Sequence, residues 1–151
     1  MFDSALIRFF GRTPAGNILL TGDARGDHIL NGLEQSGAVA TGADHHLRLL
    51  KVQHHGSDRN VTKNYFERLP ADIYLLSANG KHGNPDQEVL AVIVGVAKAD
   101  QREPLIVVTN EAPSLEWLRQ NRSPSQFGYE LVVRKPANHA VVIDLVAGNV
   151  A

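Results

Sequence analysis

The run LRLLKVQ at residues 47–53 is apolar enough to be buried on both faces of a sheet. Strands of that kind belong to parallel sheets, because the crossover helices that join them pack over the sheet. The runs ILLT (18–21), DIYLLSA (72–78) and LIVVT (105–109) are further short strands of this type. Between them lie segments of helical character: 26–36, with Ile29, Leu30 and Leu33 on one face, then a short helix at 62–69, a longer one opened by Pro85 and Asp86 and running to 99, and one at 113–121 opened by Pro113. Thr62 is a natural N-cap and Gly37 a natural C-terminal stop. Strands alternating with helices predict an α/β layer architecture. The segment 5–11 reads as a strand that forms a hairpin with ILLT around TPAGN. Residues 129–134 and 140–146 read as a second pair around KPANH. Hairpins at both ends predict a mixed β-sheet with helices, in a single domain over residues 1–151.

Composition narrows the function. A formal net charge of −1 leaves no basic field to attract nucleic acid or a membrane surface. There are no cysteines, so thiolate metal sites and disulfides are excluded, and any metal needs His, Asp or Glu ligands. No run of about 20 apolar residues is present to span a bilayer. The first residues, MFDSALIRFF, lack the basic start and small-residue cleavage site of a signal peptide. The expected location is cytoplasmic.

In α/β folds the chemistry sits at the carboxyl ends of strands. That rule selects three loops: 22–27, 54–60 and 79–86. In TGDARGD, Asp23 directly follows a strand and Gly22, so its carboxylate is either a cation ligand or a helix N-terminal acid; Asp27 fits the second role. His54 and His55 leave the buried strand together. On an extended backbone neighbours point to opposite sides, so one imidazole is expected to meet a metal and the other the substrate, unless the chain turns there. Ser57 or Asp58 is expected to hold a ring nitrogen. In NGKHGNPD, His82 lies between glycines, with Asn79 and Asn84 as turn formers and Asp86 as a helix cap. His45 and His46 sit in a polar loop and read as solvated residues.

TGDARGD, LKVQHHGSDRNVT and SANGKHGNPD, in this order over roughly residues 5–95, resemble the C-terminal half of metallo-β-lactamase-fold hydrolases. The branch most similar includes the hydrolase domain of the DNA-uptake competence channel and its soluble relatives. The resemblance implies half of an αββα sandwich and a two-metal zinc or manganese site that hydrolyses phosphodiester or related bonds. It implies metal ligation by Asp23, His55 and His82, a proton-donating, substrate-facing His54, and supporting or substrate contacts from Ser57, Asp58, Asn79 and Asn84. Many relatives have Gly-His-Pro where this chain has Gly83-Asn84-Pro85. The family's early HxHxDH motif is absent. The chain therefore resembles a member without its first half, and an incomplete metal site is expected. A sheet face left for the other half to cover implies a homo-oligomer or a complementary chain, with nucleic acid only as a substrate. The competing readings are a non-catalytic α/β association module, and a nucleotide-binding domain, for which no phosphate-loop motif is present.

Overall fold

A computed structural model of the chain describes residues 9–150. It is an α/β fold built on one mixed six-stranded sheet. β1 (Phe9–Thr13) and β2 (Gly16–Leu20) form the expected N-terminal hairpin, pairing antiparallel from Phe9↔Leu20 to Thr13↔Gly16. The portion of the predicted first strand before Phe9 lies outside the described residues. From β2 onward every pairing is parallel: β3 (Leu47–Lys51), β4 (Ala71–Leu76), β5 (Leu105–Val108) and β6 (Glu130–Val133) follow in chain order. Between them run α1 (Gly26–Gln35), α2 (Lys63–Arg68), α3 (Gln87–Ala99), α4 (Pro113–Asn121) and the short α5 (Pro124–Phe127).

A parallel sheet laid down in chain order with right-handed crossovers puts its helices on one face. The register shows which side chains meet them. Leu19, Leu50, Tyr74 and Ile106 align across the strands. They share one core with Ile29 and Leu33 of α1, Phe66 of α2, Leu90 and Ile93 of α3, and Leu115 of α4. The helix ends follow local chemistry. The Thr62 side chain accepts from the Tyr65 N–H and caps α2, and Gly37 stops α1 at φ 72°, with the Ala38 N–H donating to the Leu33 carbonyl.

The opposite face carries Leu49, Ile73, Leu105 and Val107, packed with Val141, Ile143, Leu145 and Val150. The second predicted hairpin is corrected here. β6 does not pair with residues 140–146; it adds to β5 in parallel, and a small hairpin of β7 (Ile143–Asp144) and β8 (Asn149–Val150) folds over the sheet. The reason is burial: an apolar ELVV strand gains more as a sixth strand beside LIVV than in an isolated pair. Arg48 fixes this cover, donating to the Leu145 carbonyl at 2.7 Å and to Asp72 at 2.9 Å. Towards the carboxyl end the same face is more open, with Leu20 37% exposed and Leu75 half-buried. No helix among the described residues is long and apolar enough to cross a membrane.

Candidate functional site

Because β2 to β5 are parallel, their carboxyl ends share one edge, and the three loops selected from the sequence meet there. The His54 N–H donates to the Gly22 carbonyl at 3.1 Å, joining the exits of β2 and β3. The Asp86 N–H donates to the Gly56 carbonyl, and the Asp58 N–H to the Asp86 carboxylate, both at 2.9 Å, joining the second loop to the third.

The chain turns at the histidines. β3 stops at Lys51, two residues before the predicted end, and residues 53–56 form a tight turn with His54 at φ 46°, His55 at φ 58° and Gly56 at φ 83°. Left-handed backbone costs a non-glycine residue about 1–2 kcal/mol. Two consecutive histidines there are an outlier of the kind that clusters at functional sites. The turn is held from beneath by Gln53, which is fully buried and donates to the Asn60 carbonyl at 3.3 Å. Gly56 packs too tightly for any side chain: a Cβ there would lie 2.8 Å from the Cβ of Pro85 and 2.9 Å from the Cδ2 of Leu76.

The left-handed turn also sets the ring partners. Asn60 donates through Nδ2 to the Asp23 carbonyl at 3.0 Å, which leaves its Oδ1 to accept from His54 Nδ1 at 2.7 Å. His55 Nδ1 contacts the Ser77 carbonyl, which can only accept. Both rings are thereby held with Nδ1 protonated and the lone pair on Nε2, the arrangement that suits a metal ligand or a proton acceptor. The expected roles of Ser57 and Asp58 as ring partners are corrected. At Nδ1 those places are taken by Asn60 Oδ1 and the Ser77 carbonyl, because the left-handed turn aims the two Nδ1 atoms at them.

Asp23 is exposed, and its backbone is tied to His54 through Asn60. Half-buried Lys51 lies near it; burial pushes the lysine below its ordinary pKa, and the Asp23 charge opposes that shift. Asp27 lies in the first turn of α1 and pairs with Arg25 at 3.0 Å, as a helix-terminal acid should. His46 pairs with Asp72 at 2.7 Å and His45 contacts Asn17 at 2.9 Å, both away from the three loops.

Two pockets open at the edge. One, of about 320 Å³, is lined by His55, Asn79, Lys81, His82, Thr109 and Asn110 among others. The other, of about 430 Å³, is lined by His54, Ser57, Asp58, Arg59, Asn84 and Asp86. His82 and Asn84 line both. The edge therefore gathers His54, His55, His82, Ser57, Asp58, Asn79 and Asn84 around two adjoining cavities. Asn60, Thr109 and Asn110 were missed. The strand-end rule applied to LIVVT would have found the last two; nothing in the sequence marks Asn60 beyond its place in the loop.

The residues do not complete a metal centre. Among the described residues, no group of three or more His, Asp or Glu side chains is placed to hold one ion. Asp23, His55 and His82 thus share an edge without forming a common coordination sphere. Compared with protein-family models, curated proteins and solved structures, the chain finds no match.

Proposed function

We propose that this edge is part of the active site of a metal-dependent hydrolase of the metallo-β-lactamase type, acting on phosphodiester or related bonds. The observation that carries the reading is the restraint of both imidazoles through Nδ1, by Asn60 on His54 and by the Ser77 carbonyl on His55. Such hydrogen bonds fix tautomer and ring direction, and they are costly to build for a histidine that only meets solvent. His55 is then the zinc or manganese ligand. His54, half-buried and lining one pocket with Ser57 and Arg59, is the residue that first takes a proton at Nε2, as from the attacking water, and then gives it to the leaving oxygen. Asp23 and His82 serve as further ligands only when additional ligands from outside the described residues draw them together. Isothermal titration with zinc or manganese tests this. Binding that weakens about tenfold or more in His55→Ala supports it; equal binding by both proteins removes His55 from the site, and the hydrolase reading with it.

A second reading has its own observation. The open carboxyl end of the sheet face, with exposed Leu20 and half-buried Leu75, favours a homo-oligomer in which the chain acts as an association module. Sedimentation of a monomer at every concentration would exclude it.

A further inference from the structure

The two pockets differ in charge. The wall around His55 contains one permanently charged side chain, Lys81, and no carboxylate. The wall around His54 sets two carboxylates, Asp58 and Asp86, against one permanent cation, Arg59.

A second cation stands behind the first pocket. Arg134, at the exit of β6, donates to the Thr109 carbonyl at 2.9 Å and to Asn110 Oδ1 at 3.0 Å, and thereby braces the wall those residues form. Its remaining hydrogen bonds go to the carbonyls of Lys135 and Asn138. All four acceptors are neutral oxygens. Among the described residues, neither Lys81 nor Arg134 is in an ion pair. Most other arginines near a carboxylate in this chain are paired with it, as Arg48, Arg68, Arg102 and Arg119 are. Lys81 in the carboxylate-free lining, with the Arg134 charge behind the Thr109–Asn110 wall, sets a positive field that attracts an anion.

The wall is also rigid, its Thr109 and Asn110 donors being spent on each other and on the Ala78 carbonyl, which leaves Lys81 as the charged donor to a ligand. Thr109 Oγ1 and Asn110 Nδ2 both donate to the Ala78 carbonyl, at 2.9 and 2.6 Å, and the Ala78 N–H returns a bond to Thr109 Oγ1 at 3.1 Å. Asn79 Oδ1 accepts from the Lys81 N–H at 3.0 Å, which shapes the loop that carries the lysine. A preorganised wall loses little freedom when a ligand arrives.

We propose that the pocket around Lys81 is an anion subsite that holds a non-reacting phosphate of the substrate. The word substrate rests on the hydrolase reading; the binding of phosphate does not. A substrate with one phosphate at the reacting position and another in this pocket is a phosphodiester that carries a further phosphate on one arm. The second pocket, with its two carboxylates, takes the uncharged arm.

The test is a titration of inorganic phosphate into the metal-free full chain, with chelator present, followed through the backbone amide signals of Asn79, Lys81 and Asn110. The wild type should show saturable shifts at these three residues. Lys81→Ala should bind about tenfold more weakly, and Lys81→Arg should stay within about twofold of wild type. Arg59→Ala, which alters the other pocket, should leave the phosphate affinity unchanged. Thymidine 5′-monophosphate should bind and thymidine should not. The absence of saturable shifts, or equal affinity in wild type and Lys81→Ala, would overturn the proposal. No metal and no turnover enter this assay. A failed zinc titration therefore sinks the hydrolase reading alone, and a failed phosphate titration sinks the subsite alone.

Discussion

Gly56→Ala probes the packing that holds the histidine turn in place. The substitution meets two separate costs. At φ 83° an alanine adopts a left-handed backbone, which costs about 1–2 kcal/mol. Its Cβ would also sit 2.8 Å from Pro85 Cβ and 2.9 Å from Leu76 Cδ2. Neither atom is the free end of a flexible chain, since Leu76 is fully buried and Pro85 is a ring. Overpacking of that kind adds about 1–3 kcal/mol. The expected loss is about 2–5 kcal/mol, a large share of the ~5–15 kcal/mol that holds an ordinary domain together. Gly37→Ala supplies the internal reference. It too has a positive φ, 72°, but nothing lies within 4 Å of the added Cβ, so only the backbone cost applies. Urea unfolding of the three proteins measures both losses, as shifts of midpoint at constant slope. Gly56→Ala should lose clearly more than Gly37→Ala. Equal losses would mean that Pro85 does not press on the turn, and the case for a rigid pair of histidines would fail.

Three further outcomes are expected. Asn60→Ala removes the acceptor of His54 Nδ1 and the donor to the Asp23 carbonyl, and should cost about 1–3 kcal/mol in the same unfolding assay; an unchanged midpoint would show that Asn60 does not bridge the loops. Arg48→Ala should release the β7–β8 hairpin, so that limited proteolysis cuts between residues 140 and 150 while the sheet survives; an unchanged digestion pattern would count against the clamp. Arg68 holds the Glu34 carboxyl below its ordinary pKa, chiefly by a hydrogen bond at 2.8 Å. A depressed carboxylate contributes stability above its unfolded-state pKa and loses it as pH falls through the folded one. Wild type should therefore lose more stability than Glu34→Gln on acidification below the ordinary glutamate range, and parallel curves would refute the pairing.

The fold could be read from the sequence wherever burial dictated pattern. LRLLK, DIYLL and LIVV are apolar on both sides because helices cover one face and the C-terminal hairpin the other. The caps at Thr62 and Gly37 are local chemistry and needed no tertiary context. The C-terminal pairing misled for the opposite reason. ELVV fits a hairpin and a parallel edge strand equally well, and only the neighbouring LIVV decides between them. At the site, the strand-end rule found the loops, but ring direction was hidden. Alternation on an extended backbone sends His54 and His55 to opposite sides; three consecutive positive φ values replace that rule with a turn, and nothing before Gly56 announces it. The partners of the rings were invisible for the same reason. One is a backbone carbonyl and the other an asparagine six residues on.

Both proposed roles require the two imidazoles to present Nε2 from the edge of the sheet. Long-range proton–nitrogen correlation spectra of the histidine rings, recorded where the rings are neutral, read the tautomer of each directly. His54 and His55 should both carry the proton on Nδ1 and a bare Nε2, and the Nε2 of His55 should shift when zinc is added. Protonation on Nε2 in either ring, or a His55 Nε2 that does not respond to zinc, would contradict these roles.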